Sequence, residues 1–394
     1  MATVALFCLS RSLAHASRVV AVARRLTAAG HTCVLHGAPG WLTHPMLQCA
    51  GVSVVVHDEP DMDDVLAPSR GKRPGGNPAQ VLARALTADR TAIIQSGSSV
   101  VIVDNRRSAG LAAEALGIPW LSLTGALLLG PHCALAPTAA DVARVCGPVL
   151  GIAAADMRQW GRLASLEDAA PVGPQAVPLS PSLRQLIADH GARSRSFAHE
   201  LCIGDHTLVL DSHALVPTQD LPLGVDVVGP ILASGGHRPD LPDVAGARVW
   251  LTAGATGDAD LVPVLKRHLE RWGISVLHSG AGAATPHLLD LDHVLPHVDL
   301  VICHGGSATV HHAIAHGRPI LALPTHLEQA MMALAVECIG AGRALPAPTA
   351  RLEPVAALAL ATAMLSKPPA HTAHIPIDRN RPLDAALSWV DAQT

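Results

Sequence analysis

Short β-branched apolar runs, each followed by a helical segment that stops at glycine, recur along two stretches of this chain. "TVALFCL" (3–9) leads into "ASRVVAVARRLTAAG" (16–30), with apolar residues at helical spacing and a stop at Gly30. "TCVLHG" (32–37), "GVSVVV" (51–56), "SVVIVD" (99–104) and "PWLSLTG" (119–125) read as further strands, and "SAGLAAEALG" (108–117) as a helix between the last two. Strand–helix–strand repetition of this kind builds a parallel doubly wound α/β sheet. The rhythm returns with "HTLVLDS" (206–212), then "RVWLTAGATG" (248–257), "ISVLHSG" (274–280), "VDLVICHGG" (298–306) and "PILALP" (319–324) as strands. "LVPVLKRHLERWG" (261–273) and "LEQAMMALAVECIGAG" (327–342) read as helices among them. The 394 residues therefore divide into two Rossmann-like halves, 1–215 and 246–375, with a Pro/Gly-rich linker at 216–245. An amphipathic helix in 376–394 is expected to pack back on the first half. Ligands of such folds bind in the cleft at the carboxyl ends of the strands.

Two regions break the pattern. Residues 57–80 are polar and rich in Pro and Gly and read as a long mobile loop, while 130–200 reads as mostly helical with Pro breaks. Arg106 and Arg107 read as solvated loop charges.

Composition excludes several partners. Net charge is -4 and no basic stripe interleaves with aromatics, so nucleic acid is not expected. The longest apolar stretch, 118–136, is interrupted by Thr124, Gly125, Pro131 and His132, which argues against membrane insertion. The start "MATVALFCLSRSLAHA" imitates a signal peptide, but Arg11 interrupts a short apolar run, and it reads as a buried first strand. The eight cysteines form no C-x-x-C, and several sit in apolar runs, which suits reduced thiols in the cytoplasm. With only 3 Lys, no Tyr and 2 Phe, any phosphate would be met by backbone N–H groups and His. Stacking would fall to Trp, His or aliphatic side chains.

One stretch carries chemistry. "CHGGSATVHHAIAHGRP" (303–319) follows a strand, turns on two glycines and starts a helix. Free N–H groups and the macrodipole at a helix start favour a phosphate. Glycine lets backbone approach a ligand closely. Ser307 and Thr309 can add hydroxyl donors and His304 a ring N–H. On the turn alone, an ordinary βα corner is an equal alternative.

The wider spacing resembles the donor-binding half of GT-B glycosyltransferases of the family-1 type. In that family HGG-x-x-T is followed by G-x-P, an LP strand end, an acidic residue with Gln, and a GAG helix end; here these are "HGGSAT", "GRP", "LP", Glu328-Gln329 and "GAG". "VDVVGPI" and "AHASRVVAVARRLTAAGH" are similar to its interdomain and N-terminal motifs, and "VVIVDNRRSAGLAAEALGIPWLSL" to its aspartate segment. The resemblance implies two Rossmann-like domains facing a central cleft. It implies His304, Gly305, Gly306, Ser307, Ala308, Thr309 and Thr256 around a diphosphate, and Glu328 and Gln329 on the sugar. It implies His15 as general base with Asp104 orienting it, and Leu288, Leu289 and His312 in the base and ribose region. Four positions depart from the family: Ala14 where Gly is usual, Leu288 for a stacking Trp of plant relatives, His312 for their ribose-binding Glu, and Ala255 for a Ser. The His312 departure hints at dTDP.

The expected function is inverting, metal-independent transfer of a sugar from a UDP- or dTDP-sugar to a small, mostly apolar acceptor held near His15, Asp104 and 57–80. No cofactor beyond the nucleotide sugar is implied. His312 and His316, spaced i, i+4, could in principle share a metal, but no nearby acid completes a zinc motif. The alternatives are a catalytically degenerate nucleotide-binding or auxiliary protein, and a sugar-nucleotide epimerase, which needs sugar-facing carboxylates not evident here.

Overall fold

A computed structural model describes the chain except residues 39, 41, 43, 45–46, 48–50, 58, 60–69, 73–76, 152–175, 233–234, 281–287 and 369–374. Strands β1 (Thr3–Cys8), β2 (Thr32–Gly37), β3 (Val52–Val56), β4 (Val100–Asp104), β5 (Trp120–Thr124), β6 (His206–Val209) and β7 (Val225–Val227) form one sheet. Their order is β3-β2-β1-β4-β5-β6-β7, and every pairing is parallel. A second parallel sheet holds β8 (Arg248–Thr252), β9 (Ser275–Ser279), β10 (Leu300–Cys303), β11 (Ile320–Ala322) and β12 (Gly342–Ala344), in the order β12-β11-β10-β8-β9. The α/β doubly wound reading therefore holds in both halves.

The order reverses between β1 and β4 in the first sheet and between β10 and β8 in the second. Crossovers leave in opposite directions there, opening a crevice at the strand ends. Cys8 pairs with Asp104 across the first switch point and Cys303 with Thr252 across the second. The candidate residues leave the sheets at these two places.

Local chemistry explains the elements. Strands β4 and β5 are wholly buried and mostly apolar, and are covered on both faces. The helix Leu13–Ala28 buries Ala16, Val19, Val20, Ala23 and Leu26 on one stripe against the first sheet. It ends at Gly30, whose φ is +94°. The helix Arg381–Asp391 packs Ala386 and Val390 into the same core and pairs Asp384 with Arg25 and Asp391 with His31.

Some readings need correction. Between β3 and β4 stands a helix, Pro78–Ser96, that the loop reading of 57–80 ran into. Asn77 caps it by accepting from Ala79 N at 3.0 Å, and Pro78 suits its first turn. Much of 57–80 lies outside the described residues, but Glu59 is buried and accepts from Ser10 N at 2.9 Å and Ser10 Oγ at 2.5 Å. Arg106 is not solvated: it is 2% exposed, and its guanidinium lies against Asp89, with Nε at 3.0 Å and Nη2 at 2.8 Å. A buried charge needs such a partner, and the helix missed from sequence supplies it. Strand β7 falls inside the stretch read as linker, its β-branched "VDV" completing the sheet edge. In 130–200 the helices Ala139–Leu150 and Pro181–Asp189 form, and 152–175 lies outside the described residues.

Candidate active site

His15 lies in the first turn of the helix after β1, and Asp104 is the last residue of β4, so the switch point brings them together. His15 Nδ1 is 2.7 Å from Asp104 Oδ1, which leaves Nε2 as the free ring nitrogen. Asp104 is fully buried behind the imidazole. Asn105 takes a left-handed φ of 57° as the chain turns off the strand, a conformation asparagine tolerates.

Arg18, which was not among the sequence-derived site residues, completes this group. It follows His15 by three residues and therefore shares its helix face. Its Nε donates to Asp104 Oδ2 at 2.8 Å and its Nη2 to Oδ1 at 3.0 Å, and Nη2 lies 2.6 Å from His15 Nδ1. Burial by itself would raise the Asp104 carboxyl; the Arg18 guanidinium, aided by His15, outweighs it and holds the carboxyl below the usual range. Asp104 is thus an anion shared between an imidazole and a guanidinium. The signal was present in "AHASR": an arginine on the face of the candidate base, with a buried carboxylate nearby.

The second switch point is built from glycine and imidazole. The turn after β8 carries Gly254, Thr256 and Gly257; the turn after β10 carries His304, Gly305 and Gly306, and the helix Ser307–Ala315 follows. The His304 ring occupies the space that side chains would fill at its neighbours. A Cβ on Gly254 would stand 2.2 Å from Cε1 of the ring and one on Gly306 2.5 Å from Nε2. Gly254 and Gly305 also hold φ of +56° and +83°, which favour glycine. Nδ1 of His304 is buried without a hydrogen-bond partner, and burial brings the ring down to about 4.

Several other expected residues have defined positions. Ser307 lines the cleft, and its Oγ donates to Asp211 Oδ1 at 3.1 Å across the two halves. Beside it, Ser212 N donates to His311 Nε2 at 3.1 Å. Gln329 is 3% exposed and both ends of its amide are used: Oε1 accepts from Thr325 N and Nε2 donates to Thr256 Oγ1, each at 2.9 Å. It braces the Thr256 turn from within the cleft lining. Glu328 faces the cleft, which also reaches Ala308, Thr309, Leu288 and Leu289. His312 is buried with Nδ1 unpartnered and is brought to about 4, chiefly by burial. His316 Nε2 lies 3.0 Å from Asp292 Oδ1, and Asp292 also binds Arg379. Among the described residues no group of three His, Cys, Asp or Glu is placed to hold a metal ion.

These residues share one cleft of about 610 Å³ between the halves, with His15, Arg18 and Asn105 on one wall and Gly254, Thr256, Leu288, His304, the start of Ser307–Ala315, His312 and Glu328 on the other. His326, absent from the sequence-derived set, also lines it. No helix among the described residues is long and apolar enough to cross a membrane.

No protein-family model matches the chain. It is 27% identical over 302 residues to a PGL/p-HBAD biosynthesis glycosyltransferase of Mycobacterium tuberculosis, covering 71% of this chain and 66% of that protein. It is 27% identical over 281 residues to a PGL/p-HBAD biosynthesis rhamnosyltransferase of Mycobacterium bovis, covering 67% and 60%. The chain thus spans slightly less than two thirds of the length of these relatives. Among solved structures, the glycosyltransferase of kitacinnamycin matches with a TM-score of 0.65 and 17% identity over 100% of this chain and 99% of that one. The calicheamicin glycosyltransferase CalG4 matches with 0.64 and 18% over 100% and 98%. The spinosyn rhamnosyltransferase SpnG, complexed with thymidine diphosphate, matches with 0.57 and 17% over 99% and 95%. With two parallel sheets, each switch point opening on one cleft, this chain has the GT-B fold of those glycosyltransferases.

Proposed function

We propose that the chain is an inverting glycosyltransferase that moves a sugar from a dTDP- or UDP-sugar to a hydroxyl of a small, mostly apolar acceptor. The observation that carries this reading is the pairing across one cleft: a carboxylate-backed imidazole on one wall and a glycine-lined helix start on the other. The names of the relatives and the thymidine diphosphate complex of SpnG support it. Six of the seven described cysteines are buried, which fits a reducing cytoplasmic setting.

In this reading His15 Nε2 takes the proton of the acceptor hydroxyl, while Asp104 holds the ring and stabilises the imidazolium that forms. The acceptor oxygen bonds to sugar C1 as the bond from C1 to the diphosphate oxygen breaks. The leaving diphosphate gains charge as it departs, and the N–H groups at the start of Ser307–Ala315, with His304, receive it. Neither step needs a metal or a further cofactor. In this reading Glu328, on the cleft, binds sugar hydroxyls.

The test joins binding to turnover. A thermal-shift titration against UDP, dTDP, GDP and ADP should show stabilisation by a pyrimidine diphosphate, because a ligand of the native state raises apparent stability. With the matching sugar donor and an acceptor panel read by mass spectrometry, His15→Ala should lose about 10²–10⁴-fold in kcat and keep the nucleotide shift. Unchanged turnover in His15→Ala would remove the base from the mechanism. Absence of any nucleotide shift would favour the degenerate, non-catalytic reading.

A further inference from the structure

We propose that His304 and His326 form an imidazole pair that binds the diphosphate and takes up a proton from solvent as the nucleotide binds. This rests on the nucleotide-binding reading above and extends it to a residue that neither motif nor comparison assigns.

The wall of the cleft formed by the second half carries no Lys or Arg among its described residues, and it does carry Glu328. The cleft's arginine on the opposite wall, Arg18, is bonded to Asp104. A diphosphate placed here brings two or more negative charges to a wall whose described lining offers the partial charges of two helix starts, Ser307–Ala315 and Leu327–Cys338, each roughly half an elementary charge. Groups on this wall that can gain a proton would add to the neutralisation.

His304 and His326 are those groups. They are 9% and 6% exposed, both line the cleft, and each has its Nδ1 buried without a hydrogen-bond partner. Nε2 is therefore the ring atom able to meet a ligand. A hydrogen bond from Nε2 to an anion in so enclosed a place is strengthened by the low local dielectric. His326 stands at the start of the helix Leu327–Cys338, directly before Glu328. Burial holds His304 at about 4, and burial with His304 and Arg70 nearby holds His326 at about 3, so both rings are neutral in the empty cleft at pH 7. The other titratable or charged groups on the cleft are His15, Arg18, His237, His312 and Glu328. An arriving diphosphate adds anionic charge beside the pair and favours the imidazolium. The bound anion favours protonation; at His326 the His304 ring and Arg70 oppose it.

Calorimetric titration of the full chain with UDP and dTDP at pH 7.5, in buffers of different ionisation enthalpy, counts protons directly. At that pH the terminal phosphate of the free nucleotide is largely deprotonated, so the ligand itself has little proton to release. Uptake of roughly half to one proton is expected, with affinity falling about threefold to tenfold per pH unit from 6.5 to 8.5. His326→Gln should reduce the uptake and weaken the pH dependence, and His304→Gln with His326→Gln together should abolish both. Circular dichroism and melting curves verify folding, and each single variant stands if the double does not fold. Nucleotide binding without proton uptake, or uptake unchanged in His326→Gln, overturns this proposal and leaves the glycosyltransferase reading intact. Absence of nucleotide binding overturns both.

Discussion

The two switch points are the same topological device filled with opposite chemistry. In the first half the crevice between β1 and β4 holds formal charges: Asp104 bonded to both Arg18 and His15. In the second half the crevice between β8 and β10 holds neutral imidazoles, glycines and a helix start. The first arrangement suits moving a proton, because a fixed carboxylate stabilises charge on the ring in front of it. The second suits receiving an anion, because close backbone and a macrodipole need no side-chain cation. One wall is rigid through ion pairs and the other through steric fit. This difference can be broken by mutation.

In ligand affinity, the largest effect should come from the steric wall. Gly254→Ala places a Cβ 2.2 Å from the His304 ring at a φ of +56°. Gly97 has nearly the same φ, +60°, at the end of Pro78–Ser96, with nothing within 4 Å of its Cβ direction. Both variants carry the same backbone penalty, about 1 kcal/mol. Gly254→Ala alone displaces the imidazole. Nucleotide affinity measured by calorimetry should fall at least about tenfold in Gly254→Ala, the worth of one lost strong hydrogen bond, and stay unchanged in Gly97→Ala. Equal affinities in the two variants would mean that the position of His304 does not matter to the ligand.

Acid should separate the halves next. His304, His312 and His326 are buried neutral, held at about 4, 4 and 3, and all belong to the second half. In the first half only His36 is brought down comparably, to about 4. The unfolded chain binds protons at these sites from pH 6.5 downward while the folded chain does not. Stability from these rings is therefore complete above pH 6.5 and is lost as pH falls toward 4, on the order of 3 kcal/mol for each ring. Asp104 has the other sign of shift: its lowered carboxyl stabilises the first half above pH 4 and gives way only below that. Hydrogen exchange pulsed at a common labelling pH, after incubation between pH 7.5 and 5, should show β8–β12 losing protection before β1–β6. Simultaneous loss would mean that the halves unfold as one unit.

How much of this was legible in the sequence follows from the type of interaction. Periodicity located the strands because buried parallel strands are continuous apolar runs, and Gly30, Gly305 and Gly306 marked the turns. The helix Pro78–Ser96 was obscured by its exposed Arg84, Thr87 and Thr91 and by the polar stretch in front of it. Motif spacing put His15, His304 and Glu328 on a list that the fold gathers on one cleft, with Asp104 buried behind His15. Motif spacing could not say which hydroxyls and amides were already committed, because that depends on partners far away in sequence. Gln329 is engaged by Thr256, 73 residues away, and Ser307 by Asp211, 96 residues away. Arg18 was missed for a related reason: an arginine in an amphipathic helix looks solvated until a buried carboxylate is placed beneath it.

Ser307 gives the smallest and most discriminating effect, because the family motif and the observed bond assign its hydroxyl different partners. If the hydroxyl serves the ligand, Ser307→Ala removes a donor from a charged phosphate, and affinity should drop roughly tenfold or more. Its bond to Asp211, which is 2% exposed and also accepts from Ala126 N at 2.7 Å, points elsewhere. The hydroxyl then ties the start of the anion-receiving helix to the other half, and its removal leaves one carboxylate oxygen underbonded. The expected outcome is a loss of about 1 kcal/mol in unfolding free energy with nucleotide affinity within about twofold of the parent. Denaturant melts and calorimetry on the same preparation measure both. A drop in affinity without a drop in stability would hand the hydroxyl back to the diphosphate, and the contrast between the two walls would lose one of its elements.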